Sequence, residues 1–156
     1  MDVTLVEGDL LEQPVDCIVN AWNRNIIPWW LLIPHGVSGA IKKHAGTKPF
    51  EEIGSTGPLP LGHARKTSAG NLPFKAIIHV ASIDLLWNAD EASITDSVVN
   101  AMKLAEEAGF KSIAFPILGS GSGRFNANQA EDIMRNAFAR ISSDLEVRLV
   151  RYNNAS

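Results

Sequence analysis

Ser112-Ile113-Ala114-Phe115-Pro116-Ile117-Leu118 runs straight into Gly119-Ser120-Gly121-Ser122-Gly123-Arg124-Phe125, and a segment of helical period follows from about Ala127 to Ile141. The first seven residues form the short apolar run expected of a strand buried on both faces of a parallel sheet. Strand, glycine loop and helix in that order is phosphate-binding architecture. Glycines let the backbone approach an anion and adopt positive φ, while free N–H groups of the loop and the helix start point at negative charge. Glycine-rich turns also serve as plain connectors, so the loop needs support from the rest of the chain. It is not a P-loop, because no Gly-Lys-Ser/Thr follows. Nor is it a nucleophile elbow, because the last histidine, His79, precedes these serines.

Outward from this unit, short β-branched apolar runs alternate with helical segments, the pattern of strand-helix units around a largely parallel sheet. Strands are expected at Val3 to Glu7, Asp16 to Ala21, Ala76 to Ala81, Ser112 to Ile117 and Glu146 to Tyr152. One helix is expected from about Ile94 to Ala108, where Ile94, Val98, Ala101, Met102 and Ala105 share a face and Gly109 stands as a stop. In the helix expected from about Ala127 to Ile141, Ile133, Ala137, Phe138 and Ile141 are spaced to bury one side. Thr47 to Asn71, rich in Gly, Pro, Ser and Thr, reads as connecting loop, with room for a short edge strand at His63 to Thr67.

Composition narrows the function. The chain has 156 residues, 46% hydrophobic and 20% charged, which suits a single domain over 1–156 with a well-buried core. A net charge of −3 and four unclustered histidines argue against an extended surface for duplex nucleic acid. The lone Cys17 has no disulfide partner, and no Cys/His spacing suggests a metal site or a metal cofactor. An acid at Asp2 where a signal peptide carries basic residues, and the lack of a membrane-length apolar stretch, point to a cytoplasmic protein without a membrane partner.

A second strand-to-loop unit lies earlier. Val15-Asp16-Cys17-Ile18-Val19-Asn20-Ala21-Trp22-Asn23 closes a strand with two asparagines, and Ile33-Pro34-His35-Gly36-Val37-Ser38-Gly39-Ala40-Ile41 opens a helix. Amides at a strand's carboxyl end face the usual ligand crevice and suit sugar hydroxyls, while Gly36 and Gly39 permit close approach to a phosphate. Asn20 and Asn23 equally suit bracing of the loop by hydrogen bonds to backbone.

Gly8-Asp9-Leu10, Val15 to Asn23, Gly36 to Ile41, Leu72-Pro73-Phe74-Lys75-Ala76-Ile77-Ile78-His79 and Ser112 to Phe125 occur in the order seen in macrodomains, and by these five blocks nearly the whole chain resembles that family, as a bacterial-type stand-alone member. The resemblance implies a three-layer α/β/α fold with a mixed, mainly parallel sheet and a cleft for ADP-ribose, free or on a modified target. It places Asp9 on the adenine amino group, with the backbone N–H of Leu10 nearby, and Asn23 beside the distal ribose. The turn Gly36, Val37, Ser38 and Gly39 and the loop Gly119, Ser120, Gly121, Ser122, Gly123, Arg124 and Phe125 match the two loops that hold the diphosphate. Phe125 falls where an apolar or aromatic residue packs near the distal ribose. The function implied is ADP-ribose binding with hydrolysis of an ADP-ribosyl linkage or of O-acetyl-ADP-ribose. The alternatives are a non-catalytic ADP-ribose reader and a nucleotide-binding interaction module.

Two departures bear on mechanism. Hydrolases of this type that act on acidic side chains carry an aspartate directly after the Gly-Val of the first loop, where this chain has Ser38, and serine is no base without help. His35, at the lip of that loop, is the nearest titratable candidate in sequence, beside the reading of an idle surface histidine. Asp84 and Asp90 are distant candidates for the missing carboxylate. Second, the connection holding Ile26 to Pro34, with Trp29 and Trp30, is too apolar for a plain solvated loop. It reads either as a satellite core or as a patch that covers the cleft or docks a partner. His79 and Cys17 read as core residues, Trp87 as packing, and Arg124 as a phosphate ligand or a solvated side chain.

Overall fold

The computed structural model describes residues 1–22, 36–82, 90–119 and 126–152. Among them, β1 (Val3–Gly8), β2 (Cys17–Trp22), β3 (Ala64–Thr67), β4 (Ala76–Ala81), β5 (Ser112–Pro116) and β6 (Glu146–Tyr152) form one sheet in the order β1-β6-β5-β2-β4-β3. Every pairing is parallel except that of β3 with β4. The helices are α1 (Gly36–Ala45), α2 (Lys48–Gly54), α3 (Glu91–Glu107) and α4 (Ala127–Ala139).

Strand alternation assigns the layers. Cys17 and Val19 of β2, Ile78 and Val80 of β4, Ile113 and Phe115 of β5, and Val147 and Leu149 of β6 face α3 and α4 in one core. Ile18, Trp22, Ile77, Ala114 and Val150 face the opposite way, into a second core with Ile41 of α1 and Phe50 and Ile53 of α2. The central strands are therefore covered on both sides, which is why they read as continuous apolar runs. Phe115 meets Phe138 edge to face at 5.2 Å between centroids, tying β5 to α4.

The helix ends follow local chemistry. Asp90 accepts the Ser93 N–H at 2.6 Å and Ser93 Oγ accepts the Asp90 N–H at 3.1 Å, a capping box that starts α3 three residues before Ile94. At the other end Gly109 takes φ +75°, and the Gly109 and Phe110 N–H groups return to Glu106 and Ala105. At the far end of the sheet from the strands' carboxyl termini, Asp16 accepts the Lys111 backbone N–H at 2.7 Å and pairs with Lys75 at 3.4 Å. The Lys111 hydrogen bond, with help from Lys75, holds its carboxyl below the usual carboxylate range.

The expected faces and loops differ from the structure in two places. Helix α4 buries Ala130 and Met134 with Ala137 and Phe138, while Ile133 and Ile141 are only partly buried beside them. Thr47 to Asn71 is not all loop: it contains α2 and β3. Pro49 sits at the start of α2, where its missing N–H costs nothing, and Phe50 and Ile53, three apart, are fully buried. Tertiary burial makes this seven-residue helix, in a stretch whose glycines and prolines dominate a local reading. The edge strand expected at His63 to Thr67 is present as β3. Among the described residues no helix is long and apolar enough to cross a membrane.

Candidate functional site

The sheet order creates one place where a ligand crevice must open. β2 leads into α1, which lies over one face on the way to β4; β5 leads into α4, which lies over the other face on the way to β6. β2 and β5 are neighbours, so their connections part in opposite directions and leave a gap beyond their carboxyl ends.

Two backbone devices flank that gap. Gly36, Val37, Ser38 and Gly39 form the first turn of α1, whose N–H groups have no partner inside the helix and carry the positive end of its dipole. No acidic residue occupies that turn, and Lys42, Lys43 and His44 stand in the last one, a charge order that favours an anion at the N-terminus. Beyond β5, Gly119 is buried and turns at φ +80°, a conformation that strains any residue with a Cβ. The preceding Leu118 N–H is anchored on Met134 Sδ of α4 at 3.4 Å. Asn126 caps α4, accepting from the Gln129 N–H at 2.8 Å.

Asp9 stands directly after the carboxyl end of β1, on the same edge of the sheet. It caps a 3₁₀ turn, Leu10–Glu12, with Oδ1 accepting the Leu11 N–H at 2.9 Å. Leu10 is buried with Val15 against Ala114 and Val150, because this short segment crosses β6 and β5 where a helix is missing. The turn is held from below by Gln13 and Arg148, neither of which a local pattern singles out. Tyr152, the last residue of β6, pairs in register with Gly8.

Asn20 is fully buried, and its Nδ2 lies 3.0 Å from Nδ1 of His79. His79 is likewise fully buried, bonded through its other nitrogen to Thr67 Oγ1 at 2.9 Å, and ringed by Trp22 and Phe50 at 6.4 and 6.1 Å. It is a core histidine, as its strand position suggested. Burial pushes the Cys17 thiol up to about 12, so the thiolate that a nucleophile needs is absent at neutral pH. Asp90 caps α3, its Oδ1 accepting the Ser93 N–H. Among the described residues no group of three His, Cys, Asp or Glu side chains could hold a metal ion.

Asn23, His35, Trp29, Trp30, Asp84, Trp87 and the run Ser120, Gly121, Ser122, Gly123, Arg124 and Phe125 lie outside the described residues, as do the side chains of Val37 and Ser38. The structure thus brings together Asp9, the first turn of α1 and Gly119 at one end of the sheet, with Asn20 buried beneath that end.

An open parallel sheet with a helix N-terminus and a glycine turn at its switch point defines a nucleotide-binding type of α/β domain. The model of the Macro domain matches residues 19–134. The O-acetyl-ADP-ribose deacetylase of Escherichia fergusonii is 36% identical over 139 residues, covering 84% of this chain and 75% of that protein. A macro domain-containing protein of Caldanaerobacter subterraneus subsp. tengcongensis is 32% identical, covering 97% and 89%. Among solved structures, the Oceanobacillus iheyensis macrodomain with ADP superposes at a TM-score of 0.82 with 26% identity, covering 96% of this chain and 83% of that one. The chain belongs to the macrodomain family.

Proposed function

We propose that this protein binds ADP-ribose in the crevice beyond β2 and β5 and hydrolyses a bond at the distal ribose, O-acetyl-ADP-ribose being one substrate, in the cytoplasm. The observation that carries the reading is that the Asp9 turn, the α1 N-terminus and the Gly119 turn all lie on the same side of the sheet, beyond the carboxyl ends of β1, β2 and β5. The name and 36% identity of the Escherichia fergusonii deacetylase support it, as does the ADP held by the Oceanobacillus iheyensis relative.

In this reading Asp9 accepts from the adenine amino group with the oxygen not engaged by Leu11, and the Leu10 N–H donates nearby. The diphosphate lies between the N–H groups of Gly36 to Ser38 and the loop from Gly119 to Arg124, where fixed backbone dipoles stabilise it without reorganisation. Phe125 packs near the distal ribose. Asn23 holds the attacking water beside the scissile bond at the distal ribose, at the anomeric carbon of an ADP-ribosyl linkage or at the acetyl carbonyl carbon of O-acetyl-ADP-ribose, which releases acetate, in a ligand bent by the two loops. Asn20 acts from beneath, by fixing the end of β2. With serine at position 38, the base is supplied by His35 or by a phosphate oxygen of the bound ligand.

A second reading, a module that binds without turnover, is favoured by Ser38 alone. Calorimetric titration with ADP-ribose, followed by turnover assays on ester-, glycoside- and acetyl-linked substrates, separates the two. Tight binding with no turnover leaves the reader, and absence of binding removes both.

A further inference from the structure

Gln13 lies four residues beyond Asp9, at the close of the 3₁₀ turn. Its Nε2 donates to the Asp9 carbonyl oxygen at 2.9 Å, and its Oε1 accepts from Arg148 Nη1 at 3.3 Å. The two partners fix which way the amide faces: a guanidinium only donates and a backbone carbonyl only accepts, so the flipped amide would lose both bonds.

Arg148 comes from the middle of β6, in register with Thr4 of β1, on the face crossed by the segment between β1 and β2. Its Nη2 donates to Glu146 Oε1 at 3.3 Å. Its Nε is buried with no partner among the described residues. The guanidinium is thus shared between Glu146 on its own strand and Gln13 on the underside of the turn. The Asp9 carbonyl also receives the Glu12 N–H at 3.1 Å, so turn and side chain converge on one oxygen.

We infer that Gln13, oriented by Arg148, is a positioning residue that sets the Asp9 carboxylate for reading the adenine amino group. The inference rests on the proposed ADP-ribose site and deepens it at the adenine end. Asp9 has one oxygen tied to Leu11; the aim of the other depends on the backbone at Asp9, which Gln13 holds from the far side of the turn. The adenine selectivity of the site is therefore built by a residue that does not touch the ligand.

The test uses Gln13→Glu and Gln13→Leu, with ADP-ribose and GDP-ribose as ligands and thermal melting as the control. Glutamate keeps the length and an acceptor for Arg148 but sets an acceptor against the Asp9 carbonyl, so it separates the hold on Asp9 from the hold on Arg148. Both variants should weaken ADP-ribose binding by about two- to tenfold, the range one neutral hydrogen bond commands, and should compress the preference for ADP-ribose over GDP-ribose. A Gln13→Glu variant with wild-type affinity and preference overturns the inference. So does equal weakening of both ligands together with a lowered melting point, which marks a brace of the fold and nothing finer. If the wild type binds no ADP-ribose, the proposed function falls first and this inference with it; if the wild type binds and discriminates, the Gln13 variants alone decide.

Discussion

Asn20 of β2 and His79 of β4 stand opposite each other in the parallel register, and the Asn20 amide donates to Nδ1 of His79 at 3.0 Å. Thr67 Oγ1 gives its own hydrogen to the Ser68 carbonyl oxygen at 3.0 Å, so it receives one from Nε2 of His79. The ring is therefore neutral, with its hydrogen on Nε2 and both nitrogens satisfied. Three strands, β2, β4 and β3, are joined through this one side chain beneath the end of β2.

Burial pushes the pKa of His79 down to about 3, whereas an unfolded chain keeps an ordinary value near ~6.5. Between those values the unfolded state binds the extra proton, so stability falls as pH drops below ~6.5 and the loss deepens toward the folded value. Urea unfolding should show wild type about 2 kcal/mol less stable at ~pH 5 than at ~pH 7 from this group. That window lies above the range in which Asp16 and Glu131 titrate, since Lys111 and Arg135 respectively lower theirs. His79→Gln should abolish most of the difference. Equal stability at the two pH values would falsify the neutral buried ring.

Asp9→Asn isolates ligand reading from folding. The amide oxygen keeps an acceptor for the Leu11 N–H, so the melting point should hold, while a donor now faces the adenine amino group. Affinity for ADP-ribose should drop by about 1.5–3 kcal/mol, the worth of a hydrogen bond to a charged group. Unchanged affinity in calorimetry removes Asp9 from the adenine contact.

Gly119→Ala places a Cβ on a buried residue at φ +80°. The left-handed conformation should cost about 1–2 kcal/mol of stability, and ADP-ribose binding should weaken along with it. Gly121→Glu adds bulk and a like charge to the same loop and should collapse binding. If ADP-ribose binds both variants as well as wild type, this loop does not hold the diphosphate.

Ser38→Asp asks whether the cleft lacks only a carboxylate. Hydrolysis of ADP-ribose from acidic side chains should be slow in wild type and rise in this variant. If His35 is the base, His35→Ala should lose on the order of 10²-fold in rate while keeping affinity, and Asn23→Ala should impair turnover under either mechanism. Activity indifferent to His35→Ala turns attention to the ligand's own phosphate.

The strands, α3, α4 and the loop at Gly119 were legible because short continuous apolar runs, the spacing of Ile94, Val98 and Ala105, and a positive-φ glycine all record the local backbone. The role proposed for Asp9 comes from the family motif, since nothing in its local pattern marks it as more than a cap. Other features depend on residues far apart in the chain. Helix α2 exists because Phe50 packs on Trp22 at 5.2 Å. The Asn20 to His79 bond spans 59 positions and the Gln13 to Arg148 bond 135. The sequence by itself determined the central strands, α3, α4 and which loops carry glycine, because backbone preference and amphipathic period act over a few residues. Tertiary structure decided which polar side chains meet, because that follows from the order and register of parallel strands, and a crossover between strands leaves no local trace of the partner it reaches.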